Sequence, residues 1–186
     1  VYTLNGGTDY TYSNVNAESA DNYGIEVDVR KNLDFMGLKH FSWSFNGALI
    51  KSRVHFEDGS RQKNRPMQGQ SPYLVNTGIF YQNKGWNAAL LYNRIGKRII
   101  GVGRSMGTGD NIVNVPDSYE MPRNTIDLSL SKSLWKQLEL KVGVRDLLGE
   151  KITYQQYQET SHGDVKQVNR QYRPGRNFSV NISYKF

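Results

Sequence analysis

Glu26 and Asp28 stand two residues apart, the spacing that puts two carboxylates on one face of a strand, where an acid and a base can share a substrate. Arg30 continues the same phase, so the trio reads equally as a charge ladder on a solvated face. His40, His55 and His162 are far apart and fall in connections, which argues against a metal site. The absence of cysteine removes disulfides, thiolate nucleophiles and cysteine-ligated zinc together. Residues 101–109 are glycine-rich, yet no strand-to-helix context aims their backbone N–H groups at a phosphate, and they read as a flexible loop tip. No nucleophile elbow, H-E-x-x-H helix or P-loop is present. The residue chemistry therefore points away from an enzyme and requires no metal and no cofactor.

The elements that would hold these residues are strands. Apolar residues alternate with polar ones over 23–31, 41–52, 73–81, 86–93, 125–131, 138–145 and 177–186, each run bounded by Gly, Asn, Pro or Asp. None of the 30 apolar-phase positions (odd over 23–29, 41–49 and 73–81, even over 86–92, 126–130, 138–144 and 178–186) is charged, while the opposite phase carries Glu26, Asp28, Arg30, Asp127, Glu139, Lys141, Arg145 and Lys185. Seven strands and no helix are expected, each with one apolar and one wet face. No stretch approaches the roughly 18 successive apolar residues of a membrane-spanning helix.

The connections alternate in length. Residues 32–40, 82–85 and 134–137 are short, whereas 54–71, 96–122 and 147–174 are long, the asymmetry of an outer-membrane barrel with tight turns at one rim and long loops at the other. Phe35, Phe41, Trp43, Tyr81, Trp86, Trp135, Tyr184 and Phe186 fall at the short-turn ends, where an aromatic belt meets a bilayer interface. The net charge of +7 is scattered and mixed in sign, so it supplies no footprint for nucleic acid. Alternation alone also fits a soluble sandwich with its apolar face inward. Seven strands do not close a bacterial barrel, which needs an even number of at least eight. Either the chain belongs to something larger or residues 8–14 supply an eighth strand.

Five runs carry a family resemblance: Asn22-Tyr-Gly-Ile-Glu-Val-Asp-Val-Arg-Lys-Asn-Leu33, Gln68-Gly-Gln-Ser-Pro-Tyr-Leu-Val-Asn-Thr-Gly78, Pro122-Arg-Asn-Thr-Ile-Asp-Leu-Ser-Leu130, Gly143-Val-Arg-Asp-Leu-Leu148 and Arg173-Pro-Gly-Arg-Asn-Phe178. In this order they resemble the C-terminal barrel strands of TonB-dependent outer-membrane receptors, over nearly the whole chain. Ile182, Tyr184 and Phe186 look like the signal read by the barrel assembly machinery. The resemblance implies an all-β fold in which residues 1–186 supply about seven or eight strands to a barrel of about 22, in the outer membrane of a Gram-negative bacterium. It further implies uptake of a scarce iron chelate, cobalamin, glycan or peptide, driven by the TonB complex. The plug domain, the segment that meets TonB and a signal peptide are not found in the sequence.

Ligand contacts, if this region makes them, are expected in the long loops, where Arg98, Arg104, Tyr119, Tyr154, Tyr157 and His162 suit stacking and hydrogen bonding. The same composition suits ordinary wet loops, with Arg61, Lys63 and Arg65 meeting lipopolysaccharide phosphates. Two other readings stand beside the transporter. One is a small stand-alone barrel acting as adhesin or passive pore, and the other is a soluble antiparallel β-domain that binds ligand.

Overall fold

The computed structural model describes residues 2–4, 10–12, 17–57, 64–106, 113–135, 137–160 and 163–186. Its strands are β1 (Tyr2–Leu4), β2 (Tyr10–Tyr12), β3 (Ser19–Asn32), β4 (Phe41–His55), β5 (Tyr73–Asn83), β6 (Trp86–Ile95), β7 (Arg98–Gly101) and β8 (Arg104–Met106). They continue as β9 (Val113–Val115), β10 (Ser118–Glu120), β11 (Arg123–Leu134), β12 (Leu138–Arg145), β13 (Ile152–Thr160), β14 (Gly163–Tyr172) and β15 (Asn177–Tyr184). No α-helix occurs among the described residues; the one helical turn, Asp34–Met36, is of the 3-10 type and closes on Gly37 at φ 76°.

The seven expected strands form one antiparallel sheet in the order β15-β12-β11-β6-β5-β4-β3. Its alternating phases stay in register across every pair: Val27 faces Gly47, Gly47 faces Val75, and Val75 faces Arg94. The apolar phase is uncovered. Ile25 and Val180 are each 71% exposed, and Ile99 is the one large apolar side chain buried among the described residues. Polar groups on this face are satisfied internally, since the Trp43 indole donates to Thr77 Oγ1 (2.8 Å) and that hydroxyl donates to the Ser44 carbonyl (2.9 Å). The structure thus departs from the soluble reading, in which this face is the buried one. A surface of this size and polarity requires an apolar solvent.

The short connections lie at one rim. There Trp135 is 82% exposed, Phe35 and Phe186 are also exposed, and the Phe41 and Tyr81 rings sit 4.9 Å apart. At the opposite rim β4 runs three residues further than expected, and its apolar phase ends in the exposed cations Lys51 and Arg53.

Of residues 8–14, the described Tyr10–Tyr12 pairs with Tyr2–Leu4 in a separate ribbon and not with the large sheet, and residues 8, 9, 13 and 14 lie outside the described residues. The two longest connections depart from the open loops expected. β7, β10, β13 and β14 form a second antiparallel sheet in the order β14-β13-β10-β7, and β8 pairs with β9. The expected loop tip at 101–109 is strand at Gly101 and over Arg104–Met106, while 107–109 lie outside the described residues.

Candidate functional site

The polar phase of the large sheet lines a groove of about 1150 Å³, whose walls include Asp28, Arg30, Asn46, Asn76, Asn93 and Asp127. Register makes Asp28, Asn46, Asn76 and Asn93 neighbours in one row across four strands. Their amides form a relay: Asn93 donates to Asn76, Asn76 to Asn46 (3.4 Å), and Asn46 to Glu26 Oε1 (2.8 Å). Glu26 and Asp28 share this face as the alternation requires, with Glu26 engaged by an amide and Asp28 3.7 Å from Arg30. The trio is a solvated ladder, and neither carboxylate is presented as an acid and base pair.

Where the large sheet passes into the small one, ion pairs and hydrogen bonds fasten the strands. Arg123 Nη1 meets Asp146 Oδ2 at 2.6 Å, and the Asp146 N–H donates to Asp127 Oδ1 at 2.9 Å. Asp146 takes φ 55°, a left-handed conformation open to Asp at modest cost, and so turns β12 toward β13. Glu150 accepts both the Asn124 backbone N–H (2.8 Å) and its side-chain amide (2.9 Å). These bonds, with the nearby Arg94 and Arg123 charges, hold the Glu150 carboxyl below the ordinary value of 4.5. Arg176 Nε donates to the Leu147 carbonyl at 2.7 Å. Arg123, Asn124, Asp127, Asp146 and Arg176, dispersed over three of the runs quoted above, are thereby gathered at one level.

Beyond this level the small sheet brings four of the six expected loop residues together and divides them between its faces. The offset pairing Arg123 with Ile95 also pairs Glu120 with Arg98 and Tyr119 with Ile99, so the alternation of faces carries through. Tyr119 therefore continues the polar, groove-lining phase of Arg123 and Asp127. Its ring meets the Tyr157 ring edge to face at 5.7 Å, and the Lys97 ammonium lies 4.7 and 5.0 Å from the two ring centres. On the opposite face Arg98 grips Glu120 through two nitrogens (2.8 and 3.1 Å), and Tyr154 stacks near Tyr172 at 6.4 Å with Arg170 over the Tyr172 ring. Arg104 stands apart on β8 opposite Val115, and His162 lies outside the described residues.

The family model of the TonB dependent receptor-like β-barrel matches residues 1–147. This chain belongs to that family. No curated protein and no solved structure matches it. In a TonB-dependent receptor barrel the sheet described above is a wall in the outer membrane, with its apolar face to lipid and its polar face to the lumen, and the family's activity is transport. The match takes in β1 to β12, whereas the run at 173–178, the hairpin β13–β14 and β15 follow it. No helix among the described residues is long and apolar enough to cross a membrane. Among the described residues no three His, Asp or Glu side chains form a metal-binding group.

Sequence reasoning missed Lys97, the centre of the aromatic pair, and favoured its neighbour Arg98, which a carboxylate neutralises on the other face. The signal was available. Continuing the alternation of β6 past Gly96 assigns odd positions to the lumen phase and even positions to the lipid phase.

Proposed function

We propose that this chain forms the C-terminal part of a larger barrel, of about 22 strands, that imports a scarce ligand across the outer membrane using the TonB complex. The observation that carries this reading is the sheet itself, with an uncovered apolar phase and a groove-lining polar phase built from the same strands. The far edges of β3 and β15 are unpaired among the described residues, and a strand edge facing lipid leaves backbone groups unsatisfied, which supports further strands beyond both. The family offers an iron chelate, a cobalamin, a glycan or a peptide as the class of ligand. The polar face makes a wet path for any of them, and Tyr119 carries its phase onto the small sheet, where Lys97 and Tyr157 meet it. The TonB complex acts on a segment outside this region of the receptor. Ile182, Tyr184 and Phe186, all exposed on or just past the edge strand β15, supply the signal for the barrel assembly machinery. Of the cations expected to meet lipopolysaccharide phosphates, Arg61 and Lys63 lie outside the described residues and Arg65 lies 4.7 Å from the Phe56 ring centre; the exposed Lys51 and Arg53 at the long-connection rim suit the same role.

An antibody raised against residues 155–166 tests this reading in fractionated source cells. A heat-modifiable band in the outer membrane, far above the 21.3 kDa of this chain, is expected. An outer-membrane band near 21 kDa contradicts the large barrel in favour of a small one, and a band in a soluble fraction contradicts both.

A further inference from the structure

Among the described residues of the small sheet and its entry, Arg98 is ion-paired with Glu120, whereas Lys97, Lys166 and Arg170 have no carboxylate within 4 Å, and of these three Lys97 alone lies over two aromatic rings. On the lipid phase Glu120 is consumed by Arg98. On the lumen phase the acid next to this cluster is Asp117, which accepts the Gly103 backbone N–H at 2.6 Å, is hydrogen bonded to the Tyr119 hydroxyl and lies near the Arg65 guanidinium. The Lys97 ammonium touches ring faces only: no carboxylate of the described residues lies within 4 Å of it. Nor does the Tyr119 phenol supply a counter-charge. Tyrosine ionises near pH 10, and burial, followed by the Asp117 charge, pushes Tyr119 higher still.

An ammonium packed against two rings has lost much of its freedom, while its N–H donors stay available on an exposed side chain, on the phase that continues from the groove-lining residues of the large sheet. Ordering a donor before the ligand arrives lowers the entropic cost of binding, and a charge-assisted hydrogen bond is about twice as strong as a neutral one. We propose that Lys97, Tyr119 and Tyr157 form an anion-accepting subsite on the lumen face of the small sheet, built for a ligand that carries carboxylate, phosphate or similar anionic oxygens. The inference rests on the importer reading and narrows its ligand to one with an acidic group. The lysine supplies the charge, and the two tyrosines hold it and wall the subsite with ring edges.

The test uses the complete receptor in detergent micelles, titrated calorimetrically at fixed ionic strength with citrate and with inorganic phosphate, and with maltotriose as an uncharged probe. Saturable binding of at least one anion is expected in the natural protein and in Lys97→Arg. Lys97→Gln weakens that binding by about tenfold or more, and maltotriose does not displace the anion. Retained heat-modifiable migration shows that each variant is folded. Absence of saturable anion binding to the natural protein, or equal binding by Lys97→Gln, overturns the subsite. TonB-dependent accumulation in cells reads the importer separately. A receptor that imports while anions ignore Lys97 refutes the subsite alone, and a protein that binds anions through Lys97 outside the outer membrane refutes the importer alone.

Discussion

Arg123 and Asp146 come from two strands, and their side chains are only about a quarter and a seventh exposed, at 25% and 14%. A hydrogen bond between charged partners is worth about 1.5–3 kcal/mol when it is only partly screened. Arg123→Met should therefore lower the stability of the folded barrel by about that amount, measured as a shift in urea midpoint in lipid vesicles. Asp146→Asn should cost less, because Asn also accepts the left-handed backbone at φ 55° and retains an acceptor for Arg123. Glu150 adds a pH dependence. Its folded carboxyl ionises below the ordinary 4.5, so the stability it contributes is whole above that value and is lost as pH falls through the lower, folded one. Glu150→Gln replaces one of the two acceptors for Asn124 with a donor and should flatten the acid limb of a stability profile between pH 5 and pH 3 while leaving the barrel folded at pH 7. An unchanged acid limb in Glu150→Gln argues that other carboxylates govern it.

At the scale of elements, the β12 centre offers adjacent positions on opposite faces, Val142 on the apolar phase and Lys141 on the polar one. Val142→Arg should destabilise the barrel in vesicles by about 2–4 kcal/mol, the cost of arginine facing lipid near the midplane, whereas Lys141→Ser should be nearly silent. All seven strands of the large sheet, and the faces of their central residues, were legible in the sequence because one face is greasy and the other wet; at the long-connection rim Lys51, Arg53 and Arg94 carry charge onto the apolar phase and blur the pattern. The small sheet was not. β14 is exposed along its whole length and β13 carries Gln, Tyr and Thr on both phases, so a hairpin wet on both sides has no alternation to read. β7 and β10 are four and three residues long, too short for a period to register. Only a fold-level cue remained, that β6 and β11 continue in register beyond Gly96 and Pro122 and carry their phases with them. That continuation sets Tyr119 and Tyr157 on the lumen face and Tyr154 on the other, a division invisible when these residues are read as one loop.

For the whole molecule, the decisive feature is a sheet with no core of its own. Folding in water drives apolar surface inward, yet here the apolar phase of seven strands is left uncovered and a hydrogen-bonded amide relay crosses the opposite face. Both facts follow if lipid is the solvent on one side and a wet lumen lies on the other. This chain has no cysteine, so single cysteines placed in it report these two solvents against the parent receptor as the unlabelled control. Leu128 and Ser129 are neighbours on β11, paired with Val144 and Gly143 of β12, and they point to opposite faces. The most direct test labels Leu128→Cys and Ser129→Cys with a small water-soluble maleimide in outer-membrane preparations of the folded receptor. The lumen position should react and the lipid position should stay unlabelled until the protein is unfolded; equal labelling of both in the folded state would contradict the membrane-wall assignment.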